Sequence, residues 1–440
     1  MIKTKGYRLP TMLRALRHRN FRLFFAGQGI SLIGTWMTRL ATSWLLWRLT
    51  HSVEMLGLLG FASQLPTFLL APVAGVWVDR LNRHRLLVVA QILAMVQSFA
   101  LAALVLSGTI VVWEIFALQV VQGLVNAFEM PTRQSLLVGL IDDRVDLPNA
   151  VALNSSMVNA ARLIGPSAAG LIIAWVGEGW CFFADGVSYI AVIVSLLFMR
   201  VALRPGTGKG KRVFHELSDG LRYAFDFTPI RAILLLLALL GLVGIPYRVL
   251  MPVIATQTLH GDAHTLGFLM GAMGIGALIG ALFLASRTTV LGLGRMLPFA
   301  AATFGASLII VGLSHWYLLS LLVMIVTGFG FMVQLAASNT LIQTLVREEM
   351  RGRVMALYTS AFMGMATFGS LLAGATAGAI GAPQTLMIGG LVCILGAVVF
   401  AYKLPVIREH ARPVYIEKGI LPQVSESLRE ATTLREEVEQ

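Results

Sequence analysis

Long runs of apolar residues dominate this sequence and restrict what the chain can fold into. Leu86 to Leu106 and Ala232 to Ile254 are two such runs. As helices that rise about 1.5 Å per residue, they cross the roughly 30 Å hydrocarbon core of a bilayer. Lipid offers no partners to backbone N–H and C=O groups, and runs this long without alternation are not barrel strands. The sequence therefore predicts an all-α membrane protein.

Composition and motifs argue against a soluble enzyme. Hydrophobic residues make up 57% of the chain and charged residues 13%, whereas about a quarter of the residues in an average soluble protein are charged. The two cysteines, Cys181 and Cys393, indicate neither a disulfide framework nor a zinc site. The sequence contains no His-Glu-x-x-His, Cys-x-x-Cys, Gly-x-Ser-x-Gly or Walker motif. We therefore expect no catalysis, cofactor or metal, and a membrane-embedded transferase or scaffold is the alternative outside transport.

The placement of positive charge predicts the orientation of the chain. Twelve predicted spans lie between residues 21 and 403, and the inner connections before the tail hold 23 lysines and arginines. The outer connections hold only Arg48. Because cytoplasmic loops of membrane proteins carry this excess, we expect both termini in the cytoplasm. The net charge of +12 then reflects topology, and nucleic acid is not expected as a partner.

The longest polar break before the tail divides the spans into six and six. Within this break, Pro205 to Lys211 resembles a phosphate-binding loop only loosely, because no Ser or Thr follows the lysine. We interpret it as a flexible linker. The predicted segments are a cytoplasmic N-terminal segment (1–20), a six-helix bundle (21–200), a cytoplasmic linker with an amphipathic helix (201–228), a second six-helix bundle (229–403) and a charged cytoplasmic tail (404–440).

Residues recur between the two halves at nearly constant offsets. Gly57 returns 210 residues later as Gly267, and Gly170 returns 204 residues later as Gly374. Two parallel repeats of six helices are the simplest account of this pattern. Transporters built from such repeats bind substrate near the bilayer midplane, between the repeats. The predicted fold is therefore twelve transmembrane helices in two parallel six-helix repeats.

Polar side chains at membrane depth mark a candidate substrate cavity, because a charge there costs several kcal/mol unless it is paired or faces water. In span 1, Gln28 and Arg39 lie on one helix face with Trp36 beside it. Arg248 in span 7 takes nearly the repeat position of Arg39. The alternative role for such residues is to hold helices together. The cavity candidates are Gln28, Trp36, Arg39, Arg162, Arg248 and Gln334.

Two acidic residues within the predicted spans are candidates for proton coupling. Glu129 stands four residues before Arg133, and such a pair can simply neutralise itself. Asp185 of span 6 is expected to pair with Arg162 of span 5. For both acids a structural role and a functional role stay open at this point.

The connection after span 2 reads Gly75-Val-Trp-Val-Asp-Arg-Leu-Asn-Arg-His-Arg85. It resembles the Gly-x-x-x-Asp-Arg-x-Gly-Arg-Arg signature of the major facilitator superfamily, with Asn82 in place of the second glycine. The resemblance implies that family's twelve-helix fold and a gate that closes the inner side. An aspartate at a helix end can accept hydrogen bonds from the N-terminus of a facing helix. The expected inner gate consists of Gly75, Asp79, Arg80, Arg83 and Arg133.

Three further segments, 19–28, 147–166 and 351–356, resemble the branch of this superfamily that contains the bacterial enterobactin exporter and macrolide or multidrug efflux proteins. The resemblance implies a bacterial inner-membrane transporter that exports an amphipathic drug or siderophore by alternating access, in exchange for protons. The family's proton-linked arginine falls at Gln119 here, so Glu129 or Asp185 would carry the proton. The expected partners are the small molecule, protons and membrane lipids, and the chain is expected to be a monomer. Lipid or lysophospholipid translocation is the alternative transport function.

Overall fold

The computed structural model describes residues 11–141, 143–200, 213–287 and 289–421, with side chains except at 11–12, 71–73, 75–76, 79–80, 144 and 213–217. The linker stretch 205–211 and the acidic end of the predicted tail, 422–440, lie outside these residues. Within the described ranges the chain is helical and contains no β-strand. The predicted all-α class is confirmed.

Thirteen helices account for most of the described residues, and a short 3-10 segment, Thr11–Arg17, precedes them. The seventh is the amphipathic linker helix. The helices are α1 (Arg19–Thr50), α2 (Val53–Arg80), α3 (Arg83–Leu106), α4 (Val112–Gly139), α5 (Leu147–Val176), α6 (Glu178–Leu197), α7 (Val213–Asp226), α8 (Thr228–Thr258), α9 (Ala263–Ala285), α10 (Leu293–Leu313), α11 (Tyr317–Leu345), α12 (Glu348–Ile380) and α13 (Ala382–Glu417).

Membrane-spanning character is strongest in ten of these helices. Among the described residues, all but α1, α4 and α7 contain a stretch long and apolar enough to cross a bilayer. Helices α1 and α4 have 32 and 28 residues, which is also sufficient length, but they carry polar side chains along one face. They complete the predicted set of twelve spans, and the same polar side chains line the cavity described below.

Helices α8 and α12 contain wider π turns that the sequence analysis did not anticipate. The first π turn of α8 precedes Pro246, which has no N–H to donate back along the helix. In this turn Ile245 N donates at 2.9 Å to Leu240 O, five residues earlier. Single π turns inside helices are frequent at functional sites. The π turns are Leu240–Gly244 and Ile254–Thr258 in α8 and Ser360–Gly364 in α12.

The packing order of the helices recurs in the two halves. In the first half α2 packs on α4, and α3 packs on both α4 and α6; in the second half α9 packs on α11, and α10 packs on both α11 and α13. These helices hold equivalent places in chain order, which confirms two parallel repeats of six helices. The linker helix α7 contacts the second half, where Arg353 Nη1 lies 3.2 Å from Asp219 Oδ2.

Two glycine pairs bring the halves into close contact. A Cβ atom built on Gly57 of α2 would lie 2.7 Å from Gly374 Cα of α12. A Cβ atom built on Gly170 of α5 would lie 3.0 Å from Gly267 Cα of α9. Small residues allow helix backbones to approach this closely in a membrane. Since Gly57 recurs as Gly267 and Gly170 as Gly374, the internal repeat relates the two contacts to each other.

These contacts lie toward one end of the helices. At the same end Trp47 Nε1 of α1 donates to Thr256 Oγ1 of α8 at 3.0 Å. Nearer the middle of the helices, the rings of Phe68 on α2 and Phe368 on α12 pack at 5.9 Å between centroids. We call this end, which carries residues 51–52 and 259–262, the closed end. The described N- and C-terminal segments lie at the opposite end.

The segment Thr11–Arg17 is tied to the loop between α4 and α5 by Asp146. The Asp146 side chain is fully enclosed, forms salt bridges with Arg14 and Arg17, and lies 2.9 Å from His18 Nε2. Burial acts to raise the pKa of this carboxyl, but the hydrogen bonds and positive charges of its partners outweigh burial and hold the pKa below its ordinary value. We call this arrangement the N-terminal clasp.

The clasp predicts a defined pH dependence. Because its folded pKa is lowered, Asp146 contributes stability above the ordinary aspartate pKa of about 3.9, and that contribution is lost as pH falls through the folded value. At neutral pH we expect Asp146→Asn to speed hydrogen exchange of residues 11–18 about tenfold, relative to intrinsic rates. Asp143→Asn is the control, because the exposed Asp143 carboxylate lies 3.2 Å from Arg17 Nη2, whereas the contact with Asp146 uses the backbone, which the substitution keeps. Unchanged exchange in Asp146→Asn would contradict the clasp.

Candidate functional site

Two adjoining cavities of about 220 and 190 Å³ lie between the halves at the middle of the helices. We treat them as one central cavity because they share much of their lining. Its walls come from the first half on one side and from α8, α11 and α12 on the other. Residues that line both parts are Thr35, Arg39, Gln64, Asn126, Tyr189, Ile245, Arg248 and Ala366.

Three arginines surround a single tryptophan in this cavity. The guanidinium carbons of Arg39, Arg162 and Arg248 lie 4.9, 5.3 and 5.7 Å from the centre of the Trp36 ring. They come from three different helices, α1, α5 and α8. A cation over the face of a tryptophan is attracted by the ring quadrupole. Trp36 therefore gathers positive charge contributed by both halves at one place, which we call the arginine cluster.

Among the described residues, no carboxylate lies within salt-bridge distance of the arginine cluster. In the described part of the chain none of its three arginines forms a salt bridge, and Arg162 Nε and Nη1 are buried without a hydrogen-bond partner. Arg248 Nε donates only to the phenol oxygen of Tyr247, at 3.2 Å. Like charges held close together repel, and a buried donor without an acceptor costs about 1–3 kcal/mol or more. The cluster therefore leaves guanidinium groups available to an anionic group in the cavity.

The predicted pairing of Asp185 with Arg162 is wrong. Asp185 is buried on α6, where its Oδ2 accepts hydrogen bonds from Ser98 Oγ at 2.8 Å and from Thr38 Oγ1 at 2.9 Å. Ser188 Oγ lies 3.4 Å from Oδ1. Neutral hydroxyl groups on α1, α3 and α6 thus satisfy the carboxylate in place of a cation. The sequence could not show this, because it does not reveal how the helices are rotated toward each other.

Glu129 lies at the edge of the central cavity on α4. Its Oε1 is 3.3 Å from Arg133 Nη1, and Gln91 Nε2 donates to the same oxygen at 3.4 Å. The Glu129 side chain is 14% exposed. The i, i+4 pair expected from the sequence is therefore present, and both of its residues line the central cavity.

The two predicted cavity glutamines differ in location. Gln28 of α1 lines the cavity and is buried, with its Oε1 lacking a partner. Gln334 of α11 is buried in the second half and donates to Ser338 Oγ at 3.4 Å. It does not line the cavity, although its neighbours Phe331 and Leu335 do. Gln119, at the family's proton-linked position, donates to Thr42 Oγ1 at 3.4 Å.

The expected inner gate lies at the junction of α2 and α3. The structure does not describe the side chains of Asp79 and Arg80 or the surroundings of Gly75, Arg83 is the first residue of α3, and Arg133 lies apart on α4. Asn82, which replaces the family's glycine, caps α3, since its Oδ1 accepts from the backbone N–H groups of residues 84 and 85 at 3.1 and 3.2 Å. An asparagine at a helix N-cap commonly accepts hydrogen bonds from the first-turn N–H groups in this way. The gate itself stays a prediction.

Sequence reasoning missed several polar residues near this site, among them two glutamines and a tyrosine. Gln64 of α2 and Gln91 of α3 line the cavity, and the guanidinium carbon of Arg248 lies 5.8 Å from the centre of the Tyr247 ring. Both glutamines interrupt apolar runs, which is the same signal that singled out Gln28. Tyr247 gave no comparable signal because aromatic residues are common in membrane helices.

Two membrane-spanning six-helix repeats around a central cavity are the architecture of major facilitator transporters, and the family match and the names of the relatives below identify a transporter and not an enzyme. Within this superfamily, the chain belongs to the transmembrane secretion effector family, which it matches over residues 11–429. The superfamily expected from the sequence is confirmed.

Characterised relatives are transporters of small molecules. The chain is 26% identical to the staphyloferrin A transporter of Staphylococcus aureus over 386 residues, which cover 87% of this chain and 95% of the relative. It is 26% identical to the multidrug efflux pump Tap of Mycolicibacterium fortuitum, with coverage of 87% and 93%. It is 23% identical to macrolide efflux protein A of Streptococcus pyogenes, with coverage of 87% and 96%.

Solved structures share the fold at low sequence identity. A bacterial homologue of the human lysosomal transporter Spinster, in an inward-facing and unoccupied conformation, superposes with a TM-score of 0.67 at 12% identity and covers 94% of this chain and 99% of its own. The nucleoside transporter NupG superposes with a TM-score of 0.64 at 13% identity, with coverage of 89% and 99%. These likenesses concern the fold.

Proposed function

We propose that this protein is a secondary active exporter of a bacterial cytoplasmic membrane, with both termini in the cytoplasm. The observation that carries the proposal is the central cavity, which lies at half-depth between two repeats that touch at the closed end. Such a cavity is reached from the side of the termini, and rocking of the repeats would open it to the other side. The lysine and arginine excess on the side of the termini supports a cytoplasmic position for both. Cargo would therefore be loaded from the cytoplasm.

We propose further that the cargo is an amphipathic small molecule with negative charge. The arginine cluster offers three guanidinium groups that form no salt bridge with a described residue, and Trp36 offers an aromatic surface beside them. Carboxylate or phosphate groups match the guanidinium fork, which donates two parallel hydrogen bonds. The names of the relatives, a siderophore transporter and drug pumps, support a small organic cargo. Phe331 and Phe362 supply the apolar part of the wall.

The driving force is proposed to be the proton gradient. Glu129 is open to the central cavity, and Asp185 is held by hydroxyl groups next to it. Either carboxylate can bind a proton when the cavity faces the outside and release it when the cavity faces the cytoplasm. Export of an anion is also favoured by an inside-negative potential, by about 2.3 kcal/mol per charge at 100 mV. Both contributions act in the direction of export.

Transport in proteoliposomes tests this proposal. We expect wild-type protein to move carboxyfluorescein, an amphipathic anion, uphill under an imposed pH gradient and to move a cationic rhodamine dye much less. Glu129→Gln or Asp185→Asn should remove the uphill component, a loss of roughly tenfold or more, because the amide cannot carry the proton. Flux down the anion's own gradient should persist in that variant.

The matched control is Glu114→Gln, which changes a carboxylate at the closed-end start of α4, away from the central cavity. It should transport like wild type. Uphill flux that survives in both Glu129→Gln and Asp185→Asn would contradict proton exchange through these residues. Equal uptake of the anionic and the cationic dye would contradict the proposed charge of the cargo.

A further inference from the structure

A second cavity, of about 340 Å³, lies at the termini end of the second half, far from the closed end. Its walls are mainly apolar side chains of α8, α11 and α13, several of them buried. We call it the basal cavity. Its apolar lining residues include Ile233, Leu341, Leu345, Phe400, Leu404 and Ile407.

Three arginines stand on the rim of the basal cavity. Arg295 belongs to the first turn of α10, and Arg408 and Arg412 lie one turn apart on α13. All three are exposed, and none of them forms a salt bridge with a described residue. By contrast Lys418, just beyond α13, is occupied in the fold, since its Nζ donates to Thr344 O at 2.7 Å and to Val346 O at 3.3 Å. The guanidinium groups of the three rim arginines form no comparable hydrogen bonds with described residues.

The depth of the rim matches the membrane surface. Helix α13 begins at Ala382 at the closed end, and the 22 residues to Lys403 span about 33 Å at about 1.5 Å per residue. That length crosses the roughly 30 Å hydrocarbon core. Arg408 and Arg412 follow within one to three turns, and Arg295 stands where α10 enters the same surface. On α13 the lining residue Phe400 therefore lies at acyl-chain depth, and Leu404, Ile407 and the two arginines follow at headgroup depth.

We propose that the basal cavity binds an anionic phospholipid of the leaflet at the termini side. One acyl chain enters the apolar cavity, and the phosphate lies among Arg295, Arg408 and Arg412. A volume of about 340 Å³ is near the lower end of ligand pockets, about 300–1,000 Å³, so it takes part of one chain and leaves the headgroup at the rim. Basic pockets between helices at the membrane surface favour anionic headgroups for this reason.

The bound lipid would add a charged link between α10 and α13, which already pack against each other. Arg295 starts α10, whereas the other two arginines extend beyond the membrane-spanning part of α13. A phosphate shared between them fastens the termini end of these two helices, and its binding stabilises the folded state by mass action. This site does not depend on the identity of the cargo, and its lining shares no residue with the central cavity.

Thermal unfolding of the full chain in mixed micelles tests the site. The protein in neutral detergent receives dioleoyl phosphatidylglycerol, dioleoyl phosphatidylcholine or inorganic phosphate. We expect phosphatidylglycerol to raise the wild-type midpoint by about 3–5 °C more than phosphatidylcholine does, and phosphate alone to have no effect. The double variant Arg408→Gln/Arg412→Gln should lose most of that difference. Lys403→Gln, an exposed cation of α13 that does not line the cavity, should keep it.

Several results would overturn the proposal. One is an equal response to the two lipids, and another is a full response in the double glutamine variant. A response to inorganic phosphate as large as that to phosphatidylglycerol would identify a simple anion site in place of a lipid site. If the double glutamine variant folds poorly, two milder variants replace it. Arg408→Lys/Arg412→Lys must keep part of the rise in midpoint caused by phosphatidylglycerol, and Arg412→Gln must lower that rise. Native mass spectrometry of bound phosphatidylglycerol gives the same comparison without unfolding.

Discussion

Arg162→Met is expected to lower transport of the anionic cargo about 10- to 100-fold and, in the same protein, to raise the thermal stability of the empty transporter. The first effect follows because a hydrogen bond to a charged group is worth about 1.5–3 kcal/mol. The second follows because Arg162 Nε and Nη1 are buried without partners beside two other arginines. Replacing an uncompensated cation by an apolar chain of similar length removes repulsion and desolvation cost. Function and stability are expected to change in opposite directions.

The measurement combines a transport rate in proteoliposomes with a thermal unfolding curve in detergent for each variant. Arg48→Met is the matched control, because Arg48 Nε donates to Glu178 Oε1 at 2.9 Å and Glu178 is buried. Removing this arginine leaves a buried carboxylate alone, so stability should fall while the arginine cluster is untouched. If Arg162→Met destabilises the empty protein as Arg48→Met does, the arginine has a structural partner and the anion site is misassigned.

The second large effect concerns the closed end, where Gly57→Leu is expected to lower transport about tenfold or more. Any side chain at this position meets the backbone of Gly374, since even a Cβ atom would lie 2.7 Å from its Cα. Overpacking of this kind costs about 1–3 kcal/mol, and here it acts only on the conformation in which α2 and α12 touch. A cost of about 1.4 kcal/mol shifts a conformational equilibrium tenfold. The variant should fold and favour the conformation that is open at that end.

Spin labels on Thr109→Cys and His315→Cys, exposed loop residues of the two halves at the closed end, report the change. The two native cysteines are buried, so the labels report these positions. We expect a longer distance between the labels in Gly57→Leu than in the parent protein. Gly139→Leu is the control, because a Cβ atom there meets nothing within 4 Å. A parental distance with normal transport in Gly57→Leu would show that the halves do not need this contact.

The sequence predicted the cavity face of α1 well. Gln28, Trp36 and Arg39 line the central cavity, because helical periodicity alone determines which residues of one helix share a face. The same reasoning failed for Gln334, which is buried inside the second half next to Ser338. A single polar residue in an apolar run shows that some protected surface is needed, but it does not distinguish a cavity from a contact between two neighbouring helices.

Contacts between different helices were the least predictable part of the site. Asp185 and Arg162 have opposite charges on consecutive helices, yet the carboxylate is satisfied by Thr38 and Ser98 and the guanidinium faces Trp36. Which pair forms depends on the rotation of each helix about its axis and on its depth. Neither quantity is encoded in the hydrophobic pattern, because lipid accepts any apolar surface equally.

The recurring glycines show the same difference between what the sequence predicts and what only the structure reveals. Their offsets of about 200 residues indicated two repeats, but their pairing as Gly57 with Gly374 and Gly170 with Gly267 became evident only when the halves were placed against each other. By itself, the sequence determined that the chain lies in a lipid bilayer, and it determined the twelve spans, the repeat and the polar helix faces. These follow from local periodicity and from the cost of polar groups in hydrocarbon. The tertiary structure alone decided the arginine cluster, the closed end and the basal cavity. Each of these joins residues from helices far apart in the chain, and only packing brings them together.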